Sequence, residues 1–234
     1  CRDWFQLSLK EGLTVFRDQQ FTSDMHNYAI KRIEDVKFLR NTQFREDSGP
    51  TSHAVKPEKY LEIDNFYTTT IYEKGSEIIR MVQTIINEEK FKEGFSSFIS
   101  KYDGKAATID DFIETIFERD KAIKTEKFKI WYKQNGTPHL TFKRDWDRDN
   151  KTLKIYISQE NNKKNPINKL PLIIPINLAI FTDNNKYKKI KFILNKKNDQ
   201  ITLKNINTNF DKPITSYLRG FSAPVKWETD LNLE

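Results

Sequence analysis

Glu11 and Asp18 stand seven residues apart, so a helix through this stretch carries both carboxylates on one face, two turns from each other. A metal site needs clustered His, Asp and Glu side chains. On spacing alone, though, Glu11 reads as an ordinary solvated helix carboxylate. The histidines, His26, His53 and His139, are too scattered for a His-x-x-x-His pair on one helix, and each reads as a surface or turn residue. Cys1 is the single cysteine, which excludes an internal disulfide framework and a multi-cysteine metal site. There is no glycine-rich phosphate loop and no Gly-x-Ser-x-Gly elbow.

The elements that would position these groups fall into two classes. Over 3–21 the apolar residues Phe5, Leu9, Leu13 and Phe16 recur at three- and four-residue steps, a helical pattern with Asp3 as its expected N-cap. Further helices are expected over 28–44, 67–86, 88–102, 109–119 and 126–134. Asp47-Ser48-Gly49-Pro50 opens a loop that runs to about Pro57, and Thr108 with Asp111 forms an aspartate variant of the capping box. After Pro138 the period changes. Short alternating or β-branched runs at 139–142, 153–157, 190–194 and 201–203, with a more buried run at 172–181, predict a small antiparallel sandwich. The expected division is 1–135 and 136–234.

The composition fits a globular chain. Of 234 residues, 31% are charged and 37% hydrophobic, and 17 Phe, 9 Tyr and 4 Trp supply bulk for cores. The longest apolar run, 170–180, holds two prolines and an asparagine and is too short to span a membrane. The net charge of +7 is uneven: 1–135 hold 22 basic and 23 acidic residues, whereas 136–234 hold 18 and 10. The basic excess is lysine interleaved with asparagine, as at 161–168 and 195–198, without an aromatic stacking pattern. It reads as solvated turns rather than a nucleic-acid surface, and neither a nucleic-acid nor a membrane partner is expected.

Two stretches go further. One is Cys1-Arg2-Asp3-Trp4-Phe5-Gln6-Leu7-Ser8-Leu9-Lys10-Glu11-Gly12-Leu13-Thr14-Val15-Phe16-Arg17-Asp18. The other is Asn65-Phe66-Tyr67-Thr68-Thr69-Thr70-Ile71-Tyr72-Glu73-Lys74-Gly75-Ser76-Glu77. Both closely resemble the zinc aminopeptidase N family, in its bacterial and apicomplexan branch. The resemblance continues through Phe44-Arg45-Glu46-Asp47-Ser48-Gly49-Pro50, Gln134-Asn135-Gly136-Thr137-Pro138 and Arg219-Gly220-Phe221-Ser222-Ala223-Pro224. It implies an α+β multidomain chain: the mostly helical C-terminal part of a thermolysin-like catalytic domain, then a small Ig-like antiparallel β-sandwich.

By this resemblance Glu11 is the glutamate ligand of one Zn2+, and both histidine ligands, in a His-Glu-x-x-His helix, lie upstream of Cys1. Asp18 is implied as the outer-shell acid that orients a histidine ligand, Tyr72 as the catalytic tyrosine and Tyr67 as a wall of the substrate pocket. Lys10 and Glu73 are expected to pair with each other or with substrate, and Trp4 and Phe5 to serve the core. Gly12 costs about 1 kcal/mol against alanine within a helix, which points to close packing beside the ligand. The implied function is part of a zinc aminopeptidase acting on peptide substrates, inactive as this piece alone. Its alternatives are a leukotriene-type epoxide hydrolase and a non-catalytic scaffold that binds a partner. A cytoplasmic location is the default expectation.

Overall fold

The computed structural model describes residues 1–120, 123–161, 170–183 and 186–230. Two compact units, Cys1–Gly136 and Thr137–Glu234, divide the chain.

The first unit is helical. A 3-10 turn, Trp4–Gln6, leads into α1 (Leu7–Met25), followed by α2 (Tyr28–Asn41) and α3 (Gln43–Ser48). A π turn at Thr70–Lys74 runs directly into α4 (Gly75–Ile86), and α5 (Glu88–Tyr102) and α6 (Ile109–Phe117) follow. Two single turns, α7 (Thr125–Phe128) and α8 (Ile130–Lys133), end the unit where the sequence predicts one helix. Asp3 makes no capping hydrogen bond with its side chain, and the regular α-helix starts at Leu7, three residues later than an Asp3 cap would place it. Gln6, buried at that start, uses its side-chain oxygen to accept from the Ile109 backbone N–H at 2.9 Å, tying α1 to the first turn of α6. The Thr108–Asp111 capping box forms as expected. Trp4 is 42% exposed and does not belong to the core, whereas Phe5 packs on the buried cluster Leu7, Phe66 and Ile71.

The crossing of α1 and α4 fixes the spacing between the residues on either side of it. A Cβ added at Gly12 would lie 2.8 Å from the Gly75 carbonyl carbon, closer than real Cβ atoms come. Two glycines therefore let the helix backbones touch, and the helix-propensity cost at Gly12 is offset by that approach. Beside the crossing, Arg32 of α2 donates twice to Glu77 of α4, at 2.6 and 2.7 Å. Arg80 donates to Gln19 of α1 at 2.6 Å, so three helices share one buried polar network. Burial raises the Glu77 pKa, but the charges and hydrogen bonds of Arg32 and Arg80 together outweigh it and hold the carboxylate below its usual range.

The second unit holds β1 (Pro138–Asp147), β2 (Thr152–Asn161), β3 (Ile174–Asp183), β4 (Lys186–Leu194), β5 (Asn198–Leu203), β6 (Ile214–Ser216) and β7 (Lys226–Thr229). They form a four-stranded sheet in the order β5-β2-β1-β7 and a three-stranded sheet in the order β4-β3-β6. Leu140 and Phe142 of β1 alternate inward, as do Leu153, Ile155 and Ile157 of β2. Phe142 stacks on Tyr217, ring centroids 4.2 Å apart. The buried amide of Gln159 on β2 exchanges hydrogen bonds with Leu172, just before β3, through its nitrogen at 3.0 Å and its oxygen at 2.9 Å. The sandwich is not wholly antiparallel. β7 pairs with β1 in parallel, because the chain reaches it only after passing through the other sheet, a crossover no hairpin could provide. Residues 195–198 form an exposed turn leading into β5, whereas the lysine–asparagine run at 161–168 lies almost wholly outside the described residues. No helix of the described residues is long and apolar enough to cross a membrane.

Candidate active site

The α1–α4 crossing brings Glu11 and Tyr72 together. Glu11 precedes the contact glycine on α1, and Tyr72 sits in the middle of the π turn that ends at the other contact glycine. The Glu11 side chain is 12% exposed, and the Lys10 ammonium lies 3.2 Å from its Oε1. Tyr72 is partly buried, with its ring against Leu7, Phe66 and Ile71 and its hydroxyl facing the Glu11 carboxylate. Burial raises the Tyr72 pKa, and the Glu11 charge and hydrogen bond raise it further, so the phenol keeps its proton at neutral pH. Tyr67 stands beside this pair, 51% exposed, its ring centroid 6.5 Å from that of Tyr72. A protonated phenol and a carboxylate thus lie side by side next to an exposed aromatic ring. That arrangement can donate one hydrogen bond and supply one anionic oxygen ligand.

Asp18 is exposed on α1, in the electrostatic reach of Glu73. Lys10 pairs with Glu11, not with Glu73. Glu73 turns instead toward a mostly acidic neighbourhood, which contradicts the expected Lys10–Glu73 pair. Burial, then Asp35 and Glu77, push its pKa from 4.5 to about 7, with Lys31 only partly opposing them. Its folded-state pKa therefore lies above its unfolded value. As pH rises from about 4.5 to about 7, the unfolded chain loses the proton first and stability falls; above that window the loss is complete. Replacing Glu73 with Gln removes this loss. The melting temperature of Glu73→Gln relative to the parent chain should be higher at pH 8, and the gap should close toward pH 4. A gap independent of pH would show that Glu73 titrates normally.

Among the histidines, His26 caps the end of α1 and is exposed. His139 lies on β1, 3.5 Å from Glu228. His53 is neither a surface nor a simple turn residue: its Nε2 lies 2.8 Å from the Thr68 hydroxyl and 3.3 Å from Glu46 Oε1. Burial lowers the His53 pKa, but the hydrogen bonds to Glu46 and to the Ala54 carbonyl, with the Glu46 and Asp47 charges, together raise it. Glu46, Asp47 and Lys74, which no spacing in the sequence marks as site residues, also converge on the π turn. Only partners 23 to 62 residues away reveal them.

Known proteins resemble the chain along its whole length. Residues 1–132 match the model of the peptidase family M1 domain, and residues 136–230 match a domain of unknown function with an Ig-like fold. Aminopeptidase N of Haemophilus influenzae is 42% identical over 241 residues, covering 100% of this chain and 28% of that protein. Aminopeptidase N of Escherichia coli is 40% identical over 236 residues, covering 97% of this chain and 27% of that protein. The crystal structure of Legionella pneumophila aminopeptidase A in complex with aspartic acid superimposes with a TM-score of 0.81 at 28% identity, covering 99% of this chain and 25% of that one. The chain therefore spans about a quarter of the length of these relatives. These matches favour neither the epoxide hydrolase nor the scaffold alternative.

Proposed function

The chain belongs to the M1 peptidase family, and on that footing we propose that it contributes the Glu11–Tyr72 side of the active centre of a zinc aminopeptidase. The carrying observation is the Glu11–Tyr72 pair at the glycine crossing. Glu11 fits a zinc ligand: it is a shielded carboxylate, a donor type that zinc accepts. It fits as one donor of a set, since no group of three His, Cys, Asp or Glu side chains able to hold a metal occurs among the described residues. By resemblance, the other donors are two histidines preceding this stretch, and Asp18 orients one of them.

Zinc, when bound, polarises a carbonyl oxygen and lowers the pKa of a bound water. The chain's own residues do the rest. Tyr72 donates a hydrogen bond from its hydroxyl to the carbonyl oxygen of the first peptide bond as negative charge develops there. Tyr67, exposed beside it, lines the space for the substrate's first side chain. The substrates are peptides, read from the amino terminus, and the compartment is the cytoplasm.

The test uses the full-length, zinc-loaded enzyme with an aminoacyl-coumarin and its N-acetylated counterpart. Turnover of the free-amine substrate alone, abolished by a chelator and restored by zinc, is expected. Equal turnover of the blocked substrate, or activity that survives metal removal, overturns the reading.

A further inference from the structure

The segment that carries Tyr72 is a π turn, a rare geometry that recurs at functional sites. Periodicity does not specify such a turn, so neighbouring groups must hold it. Two consecutive acids of α3 reach it from opposite ends. At the leading end, Glu46 Oε2 accepts from the Thr70 backbone N–H at 3.2 Å and from the Thr69 hydroxyl. Its other oxygen faces His53, whose Nδ1 lies 2.8 Å from the Ala54 carbonyl. At the trailing end, the Lys74 ammonium donates to Asp47 Oδ2 at 2.8 Å and to the Gly136 carbonyl at 3.0 Å. The Gly136 N–H donates to Asp47 Oδ1 at 3.1 Å and closes the loop. Consecutive helix residues point about 100° apart, which lets adjacent side chains grip the two ends of one five-residue turn. Tyr72 lies between the grips.

Stability alone does not account for this arrangement. The Lys74 and Asp47 side chains are 2% and 0% exposed, and a buried ion pair is commonly no more stabilising than apolar residues of the same volume. We infer that Glu46 and Asp47 clamp the π turn and thereby aim the Tyr72 hydroxyl, which makes both positioning residues for the reaction. The inference rests on the role proposed for Tyr72. Relaxation of the turn toward α geometry would rotate Tyr72 relative to Glu11, and a misplacement of about 1 Å can cost about a hundredfold in rate.

The test is a double-mutant cycle in the full-length, zinc-loaded enzyme. Glu46→Ala should lower kcat between about tenfold and a hundredfold, with KM nearly unchanged and zinc content intact. Amide hydrogen exchange over 69–74 should accelerate. Glu46→Gln, which keeps an oxygen to accept from Thr70, should restore most of the rate. In a Tyr72→Phe background, Glu46→Ala should cost almost nothing more, because no hydroxyl remains to be aimed. If Glu46→Ala does not fold, Thr69→Val removes the hydroxyl donor alone and should show a smaller loss that likewise vanishes in the Tyr72→Phe background. A slow Tyr72→Phe enzyme in which the clamp variants still cost their full factor overturns the clamp and leaves the role of Tyr72 standing. So do clamp variants that keep the full rate. A Tyr72→Phe enzyme at full rate overturns both.

Discussion

Glu11→Ala in the full-length enzyme should release the metal and abolish peptide hydrolysis while leaving the fold in place. Glu11 touches little that holds α1 to its neighbours: its partners are the exposed Lys10 ammonium and the Tyr72 hydroxyl. The helix crossing rests on Gly12 and Gly75, which the substitution leaves alone. Replacing residues that merely orient a metal ligand typically weakens binding by about 10–100-fold, so removing a direct ligand should exceed that range. Glu11→Asp keeps the charge but draws the carboxylate back by about one C–C bond, about 1.5 Å. It should retain part of the metal and lose most of the rate, because the oxygen no longer reaches the same point. Metal analysis after dialysis, beside a thermal melt, checks both variants. Full zinc occupancy in a folded Glu11→Ala protein would show that Glu11 is not a ligand.

The features legible in the sequence are mostly local ones. The inward face of α1, through Leu9 and Phe16, follows from period alone, and the Thr108–Asp111 box follows from an interaction spanning three residues. The alternation of Leu153, Ile155 and Ile157 likewise marks a strand without help from its neighbours. Where sequence and structure part, the deciding partner lies far away. The region from Tyr67 reads as continuous helix, yet Tyr72 occupies a π turn gripped by Glu46 and Asp47, whose partners there stand 23 to 27 residues away. The raised pKa of Glu73 comes from burial and from Asp35 on another helix, which neither spacing nor composition reports. The parallel pairing of β7 with β1 joins residues nearly the whole second unit apart. For the site, the pairing of Glu11 with Tyr72 is legible only through motif resemblance. Physically, it depends on a crossing in which Gly12 signals close packing but not its partner, Gly75.

Tyr72→Phe in the same enzyme should keep zinc and fold, yet turn over slowly. The change deletes one oxygen and leaves the ring on Leu7, Phe66 and Ile71, so packing is preserved. On the role proposed for Tyr72, what disappears is a donor aimed at an oxygen that becomes strongly basic only in the transition state. Loss of one such donor typically costs a factor of about 10²–10³ in turnover, or about 2.7–4 kcal/mol. Because the hydrogen bond strengthens as the reaction proceeds, kcat should fall while KM changes little. A tyrosine serving only the fold would behave differently. Losing an ordinary hydrogen bond would lower stability by about 1 kcal/mol and leave the kinetics near normal. Steady-state kinetics with an aminoacyl-coumarin, read against zinc content and melting temperature, separate the two cases. Unchanged kcat with a lowered melting temperature would return Tyr72 to the core and take it out of the reaction.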